Sequence, residues 1–175
     1  MIETSMEKRT IIDIHGNKRE LGCLGCAIRN GEVESPGGLI AETACFVAEQ
    51  DYEIPIPGFV ILASKRHLQS VDELTDEEQK DFIEFLCRVR KGMRRALGVE
   101  VTYLIQEEDT SSHFHVWMFP RYDWMTEQFG KKIQSLRPII EYAREHLKTP
   151  EDLKKVDEAT QNMKEYFQKE TNPST

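Results

Sequence analysis

The sequence predicts an α+β protein built on an antiparallel sheet, and three observations carry that expectation. Short apolar or alternating segments, bounded by turn residues, cluster early in the chain at 10–14, 39–43, 45–49 and 59–63. A capped amphipathic helix follows from residue 75, with two further strand-like segments after it. The last quarter of the chain is helical by its spacing and its caps. Strands first and helices mainly after is the pattern of an α+β fold.

Residues 1–19 form an N-terminal segment, polar apart from the short strand Thr10-Ile11-Ile12-Asp13-Ile14, which His15-Gly16-Asn17 closes. Gly22-Cys23-Leu24-Gly25-Cys26 comes next, where two glycines beside two cysteines allow a tight turn. Ser35-Pro36-Gly37-Gly38 is a loop, and 39–43 and 45–49 are two short strands. Pro55-Ile56-Pro57-Gly58 punctuates before Phe59-Val60-Ile61-Leu62-Ala63, apolar enough to be buried on both faces. Thr75 and Glu78 make a capping box for a long helix after the fourth strand. Its apolar stripe is Phe82, Phe85, Leu86, Val89 and Met93, and Gly98 ends it. Residues 99–106 and 111–121 are strands around a polar turn. A helix over 133–147 begins before Pro138 or restarts at it, and another begins with Thr149 as N-cap and Pro150 in its first turn. The expected organisation is a main domain over 20–128, a C-terminal helical extension over 129–169 and a fraying tail over 170–175.

The bulk composition narrows the function. With 175 residues, 39% hydrophobic and 31% charged, the chain suits one globular domain with an appendage. A net charge of −8 excludes a general nucleic-acid binder but leaves room for a small anion at one local site. The first residues lack the apolar core of a secretory signal, and no apolar run is long enough to span a membrane, so the expected address is cytoplasmic. There Cys23, Cys26, Cys45 and Cys87 are expected to be thiols or metal ligands rather than disulfides.

The chemistry concentrates in Ser111-Ser112-His113-Phe114-His115-Val116-Trp117-Met118-Phe119-Pro120-Arg121. As a strand it turns Phe114, Val116 and Met118 towards a core, and Ser111, His113, His115 and Trp117 to the other face. Two imidazoles about 6–7 Å apart at their Cα atoms can bind a metal, attack a phosphate, or divide the two jobs. Cys23 and Cys26 form a Cys-x-x-Cys knuckle, a spacing shared by zinc sites, redox pairs and simply packed thiols. No obvious strand precedes it, which weakens the redox reading. A tetrahedral zinc would need two more ligands, and the histidines in the domain body are His67, His113 and His115. Cys23, Cys26, His67 and His113 would make a closed structural site and leave His115 free. Taken alone, His67 reads as a surface residue in a basic turn, and Arg121 as an exposed, salt-bridging arginine.

Together these residues resemble the histidine-triad superfamily over about residues 20–125, on the segments 57–67, 71–78 and His113-Phe-His115-Val-Trp-Met-Phe-Pro-Arg121. The resemblance is to the zinc-containing branch and to histidine-triad (HIT-like) hydrolases of dinucleoside polyphosphates such as diadenosine tetraphosphate. It implies an α+β antiparallel meander, commonly a homodimer, that binds nucleotides. It also implies a structural Zn2+ on Cys23, Cys26, His67 and His113, His115 as the nucleophile of a nucleotidyl-histidine intermediate, and phosphate donors at Thr110, Ser111 and Ser112. The chain departs from the pattern at the third histidine, which is Trp117 here. Tryptophan offers one donor and no acid function, so a good leaving group such as a polyphosphate suits the site best, with Trp117 stacking against substrate or simply packing. The implied activity is a nucleotide hydrolase. The alternatives are a nucleotidyltransferase or phosphorylase with the same intermediate, a nucleotide-binding regulator without turnover and, least favoured, a zinc interaction module.

Overall fold

A hairpin opens the chain in the computed structural model, which describes residues 8–109 and 113–171. Strands β1 (Arg9–Ile12) and β2 (Lys18–Leu21) pair antiparallel, with Arg9 opposite Leu21 and Ile12 opposite Lys18. Asp13 shapes the turn by accepting the amides of His15 and Asn17 at 2.9 and 2.8 Å. β2 was not legible in the sequence, because Lys-Arg-Glu-Leu is largely exposed and carries no apolar alternation. Helix α1 (Leu24–Arg29) follows at once.

The main sheet has five antiparallel strands in the order β3-β4-β5-β7-β6: β3 (Ala41–Glu42), β4 (Phe46–Gln50), β5 (Val60–Ser64), β6 (Val101–Ile105) and β7 (His115–Arg121). The long helix α2 (Asp76–Leu97) lies between β5 and β6. Its predicted box is present, with the Glu78 amide donating to Thr75 Oγ1 at 3.2 Å and the Thr75 amide to the Glu78 carboxylate at 2.9 Å. Gly98 caps the other end at φ 67°. Because β2 is an additional strand, α2 follows the fifth strand in chain order rather than the fourth.

Both faces of the sheet are covered, by different helices. Phe46, Ala48, Val60, Leu62, Phe114, Val116 and Met118 pack against Phe85, Val89 and Met93 of α2. Met163 and Phe167 of the last helix, α5 (Pro150–Thr171), complete the same core. The C-terminal helix therefore fills the main core instead of hanging from it. On the opposite face Phe59, Phe119, Ile61 and Trp117 pack against Met125, Ile139 and Ala143 of α3 (Asp123–Phe129) and α4 (Leu136–His146). α3 was not anticipated. Pro138 falls in the first turn of α4, where its missing N–H is tolerated. No described helix is long and apolar enough to cross a membrane.

Arg121, expected to be exposed, is buried. Its guanidinium donates to Ser135 Oγ at 2.9 Å and to the Gly130 carbonyl at 2.7 Å, and it stands 5.2 Å from the Tyr103 ring. It ties the end of β7 to the turn before α4. A lone arginine after an apolar strand gives no sequence signal of a buried partner set.

Candidate functional site

Three segments distant in sequence converge beside the start of β7. β2 delivers Cys23 as the N-cap residue of α1, and Cys26 follows in the first turn. The strand ahead of the Cys-x-x-Cys pair corrects the expectation that none precedes it, so that point no longer speaks against a redox pair. The argument for a metal instead rests on convergence. His67, just after β5, and His113, just before β7, bring Nδ1 atoms to both sulfurs. Cys23 Sγ lies 3.8 Å from His67 Nδ1 and 3.5 Å from His113 Nδ1. The corresponding distances from Cys26 Sγ are 3.2 and 3.6 Å. A sulfur at about 2.3 Å and a nitrogen at about 2.0 Å from one tetrahedral zinc stand about 3.5 Å apart. The four separations bracket that value, as ligands of one shared ion would. All four ligand atoms lie within 4.8 Å of one another.

The surroundings orient the ligands. His113 is buried, and its Nε2 meets the Ser64 carbonyl at 2.8 Å. A carbonyl can only accept, so Nε2 carries the proton and Nδ1 is left to coordinate. Gly25 makes room for this ring. A Cβ there would stand 2.6 Å from His113 Cγ and 2.8 Å from Nδ1, so the glycine serves the close approach of an imidazole rather than the turn. Burial raises the Cys23 thiol, but the His113 hydrogen bond and the Cys26 amide outweigh it and bring it to about 6. Burial and the neighbouring Cys23 push Cys26 up to about 11. The protein alone thus favours one thiolate, and a divalent cation would offset the second.

His115 is in a different position. Its Nδ1 meets the His113 carbonyl at 2.8 Å, so Nδ1 donates and the lone pair is on Nε2. Nε2 lies 3.6 Å from a Glu107 carboxylate oxygen. Trp117 is part of the same face, edge-to-face on Phe59 at 5.5 Å and 6.5 Å from the His115 ring. The two histidines thus differ in their partners, and Trp117 packs on Phe59. Thr110, Ser111 and Ser112 lie outside the described residues.

A cavity of about 490 Å³ opens over His115 and Trp117. Leu24 and Ile28 of α1 wall one side, Glu49 of β4 and Asp51 just after it line another, and α4 contributes Arg137, Ile140 and Arg144. Burial pushes the Asp51 carboxyl up to about 7, against the amides of Ile54 and Glu53 and the charge of Arg144. Sequence reasoning missed Asp51 and the α4 arginines. Asp51 stands just past an apolar strand, where an acid is unremarkable, and the arginines are ordinary members of a charged helix. A second cleft of about 570 Å³, around Trp124 and Tyr142, holds none of the histidines.

No protein-family model matches the chain, and no curated protein matches it. Solved structures do. A zinc-bound histidine triad family protein from Mycobacterium smegmatis superposes with a TM-score of 0.62 at 16% identity, covering 87% of this chain and 97% of that one. A Hit-like protein involved in cell-cycle regulation from Bartonella henselae gives 0.58 at 16% identity, over 80% and 92%. A hypothetical histidine triad nucleotide-binding protein from Sulfolobus tokodaii gives 0.53 at 17% identity, over 81% and 94%. The fold expected from the motifs is therefore the fold observed.

Proposed function

We propose that this chain, which shares the fold of histidine-triad proteins, is a zinc-containing nucleotide hydrolase working through a nucleotidyl-His115 intermediate. The observation that carries the reading is the tautomer of His115. Nδ1–H is held by the His113 carbonyl, which leaves the lone pair on Nε2, and His115 lines a cavity large enough for a small ligand. Nε2 attacks the α-phosphorus, the P–N bond forms, and the bond to the leaving phosphate oxygen breaks. Water then cleaves the P–N bond, releasing the nucleoside monophosphate and restoring the imidazole. Thr110, Ser111 and Ser112 are assigned as donors to the anionic transition state. Trp117 supplies no proton, so the leaving group is one that departs as a stable anion, such as a polyphosphate.

The zinc on Cys23, Cys26, His67 and His113 is structural. It pins α1 and the end of β5 to His113, whose carbonyl orients the nucleophile. Support for zinc as the ion comes from the donor set and from the zinc-bound structure of the same fold. A homodimer joined along β6 is part of the reading, because β6 is an edge strand with Val101 and Leu104 exposed. So is a cytoplasmic address, which keeps Cys23 and Cys26 reduced. A transferase or phosphorylase differs only in the acceptor that takes the nucleotidyl group from His115.

The test is turnover of a panel of nucleoside di- and triphosphates and dinucleoside polyphosphates by the wild type and by His115→Ala. The expected result is that His115→Ala keeps its zinc and its melting temperature and loses turnover. Undiminished turnover in that variant, or none by the wild type on any member, would overturn the proposal.

A further inference from the structure

An ion pair stands in the wall of the His115 cavity. Arg29, the last residue of α1, donates through Nη2 to Glu49 Oε1 of β4, and both residues line the cavity. Glu49 is only 7% exposed, in a strand whose five residues are all buried. Burying a carboxylate is costly even when it is paired, and apolar side chains could tie α1 to β4 at least as well. Stability alone does not call for this pair. Its place in the cavity wall gives it a ligand to meet.

The sheet register fixes how far the pair is from the nucleophile. Glu49 is opposite Ile61, and Ile61 is opposite Trp117, so the three form one row across β4, β5 and β7. The neighbouring row on the same face holds Val47, Ala63 and His115. Two strand rises and two interstrand spacings put the Glu49 and His115 Cα atoms about 12 Å apart. That is of the order of the span from a phosphate on His115, through a ribose, to the far edge of a base. Ile61 separates Glu49 from Trp117 in their row, and Leu24 and Ile28 of α1 add further apolar wall. Apolar walls with one placed polar pair suit a flat heterocycle, whose faces take the aliphatic side chains and whose edge takes the hydrogen bonds.

The chemistry of the pair selects the edge. A carboxylate only accepts, and a guanidinium only donates. Two carboxylate oxygens match two adjacent N–H donors, and the guanidinium beside them matches an acceptor. Among the common bases only guanine has that Watson–Crick edge, with its 2-amino group, N1–H and O6 in a row. Adenine would turn its N1 lone pair towards the carboxylate, and cytosine its N3 lone pair. Uracil flanks a single donor with two carbonyls.

We propose that Glu49 and Arg29 read the base, Glu49 accepting from N1–H and the 2-amino group of guanine and Arg29 donating to O6, so that the preferred substrate is a guanine nucleotide. This rests on the reading of the His115 cavity as a nucleotide site. It adds to that reading the residues that choose among nucleotides.

The test measures binding by calorimetry to the zinc-loaded protein in a His115→Ala background, where nothing is turned over. The ligands are the 5′-monophosphates of guanosine, inosine, adenosine, cytidine and uridine. Guanosine monophosphate should bind about tenfold tighter than adenosine monophosphate or better, as a hydrogen bond to a charged group provides. Inosine monophosphate lacks only the 2-amino group and should lose most of that advantage. Glu49→Gln keeps the side chain's shape but turns an amide donor towards the base, so the preference for guanine over adenine should collapse to within about twofold. A pair that merely joined α1 to β4 would weaken all five ligands alike on substitution and leave their order unchanged, which would overturn the proposal. So would equal binding of guanosine and inosine monophosphates, a result that needs no variant at Glu49. Failure of all five to bind would overturn the nucleotide site itself, and this assignment with it.

Discussion

Gly25→Ala probes the metal cluster without touching a ligand. The added Cβ would stand 2.6 Å from His113 Cγ and 2.8 Å from Cδ2 and Nδ1. Ordinary contact is about 3.5 Å or more, so the ring must retreat by roughly 0.7–0.9 Å. It has little freedom to do so, because it is buried and held by the Ser64 carbonyl at 2.8 Å. Metal–ligand distances tolerate only about 0.2 Å, so His113 Nδ1 leaves the coordination sphere. Overpacking costs about 1–3 kcal/mol, and loss of the Ser64 hydrogen bond about 1 kcal/mol more. Zinc affinity should fall by about 100-fold or more, beyond what disturbing an outer-shell partner does. The assay is competition with a chromophoric chelator, together with melting curves in the presence and absence of excess chelator. The wild type should bind one zinc per chain and melt lower when stripped, while Gly25→Ala should melt low in both conditions. One tightly held zinc in Gly25→Ala would refute the assignment of His113.

Two further outcomes concern the scaffold. Arg66 and the Thr75 amide hold the Glu78 carboxyl down to about 2. Its contribution should be complete above the ordinary value of 4.5 and vanish as pH falls towards 2. Glu78→Gln keeps the capping geometry, so urea titrations should show it about 1 kcal/mol less stable than wild type at pH 6 and equal to it near pH 2; a pH-independent difference would count against the charge pair. Met163→Ala should cost about 2–5 kcal/mol, since Met163 is fully buried in the core that α5 shares with α2 and the sheet; a cost near zero would mean that α5 does not belong to the core.

How much of this was legible in the sequence depended on whether a feature was local. The capping box at Thr75 and the apolar stripe of α2 are short-range patterns and appear where they were expected, while the strand expected over 111–121 begins at His115 and keeps Val116 and Met118 on the core side. Ligand counting brought Cys23, Cys26, His67 and His113 together because metal chemistry imposes a number and a geometry. Features that depend on a distant partner were opaque. β2 is held by pairing with β1 rather than by its own composition, and Arg121 is buried by a turn nine to fourteen residues away. Gly25 was taken for a turn residue, because nothing local says that an imidazole 88 residues away needs its space. Arg137 and Arg144 line the cavity only because α4 packs on the sheet face that carries Trp117.

The claim on which the rest depends is that His115 Nε2 forms a covalent bond to phosphorus. Rapid mixing with substrate, quenching in denaturant at alkaline pH where a phosphoramidate survives, and intact-mass and peptide mass spectrometry would show it directly. The expected result is a transient gain of one nucleoside monophosphate on His115, absent from His115→Ala. Product accumulating with no adduct at any time, or an adduct on another residue, would contradict the account.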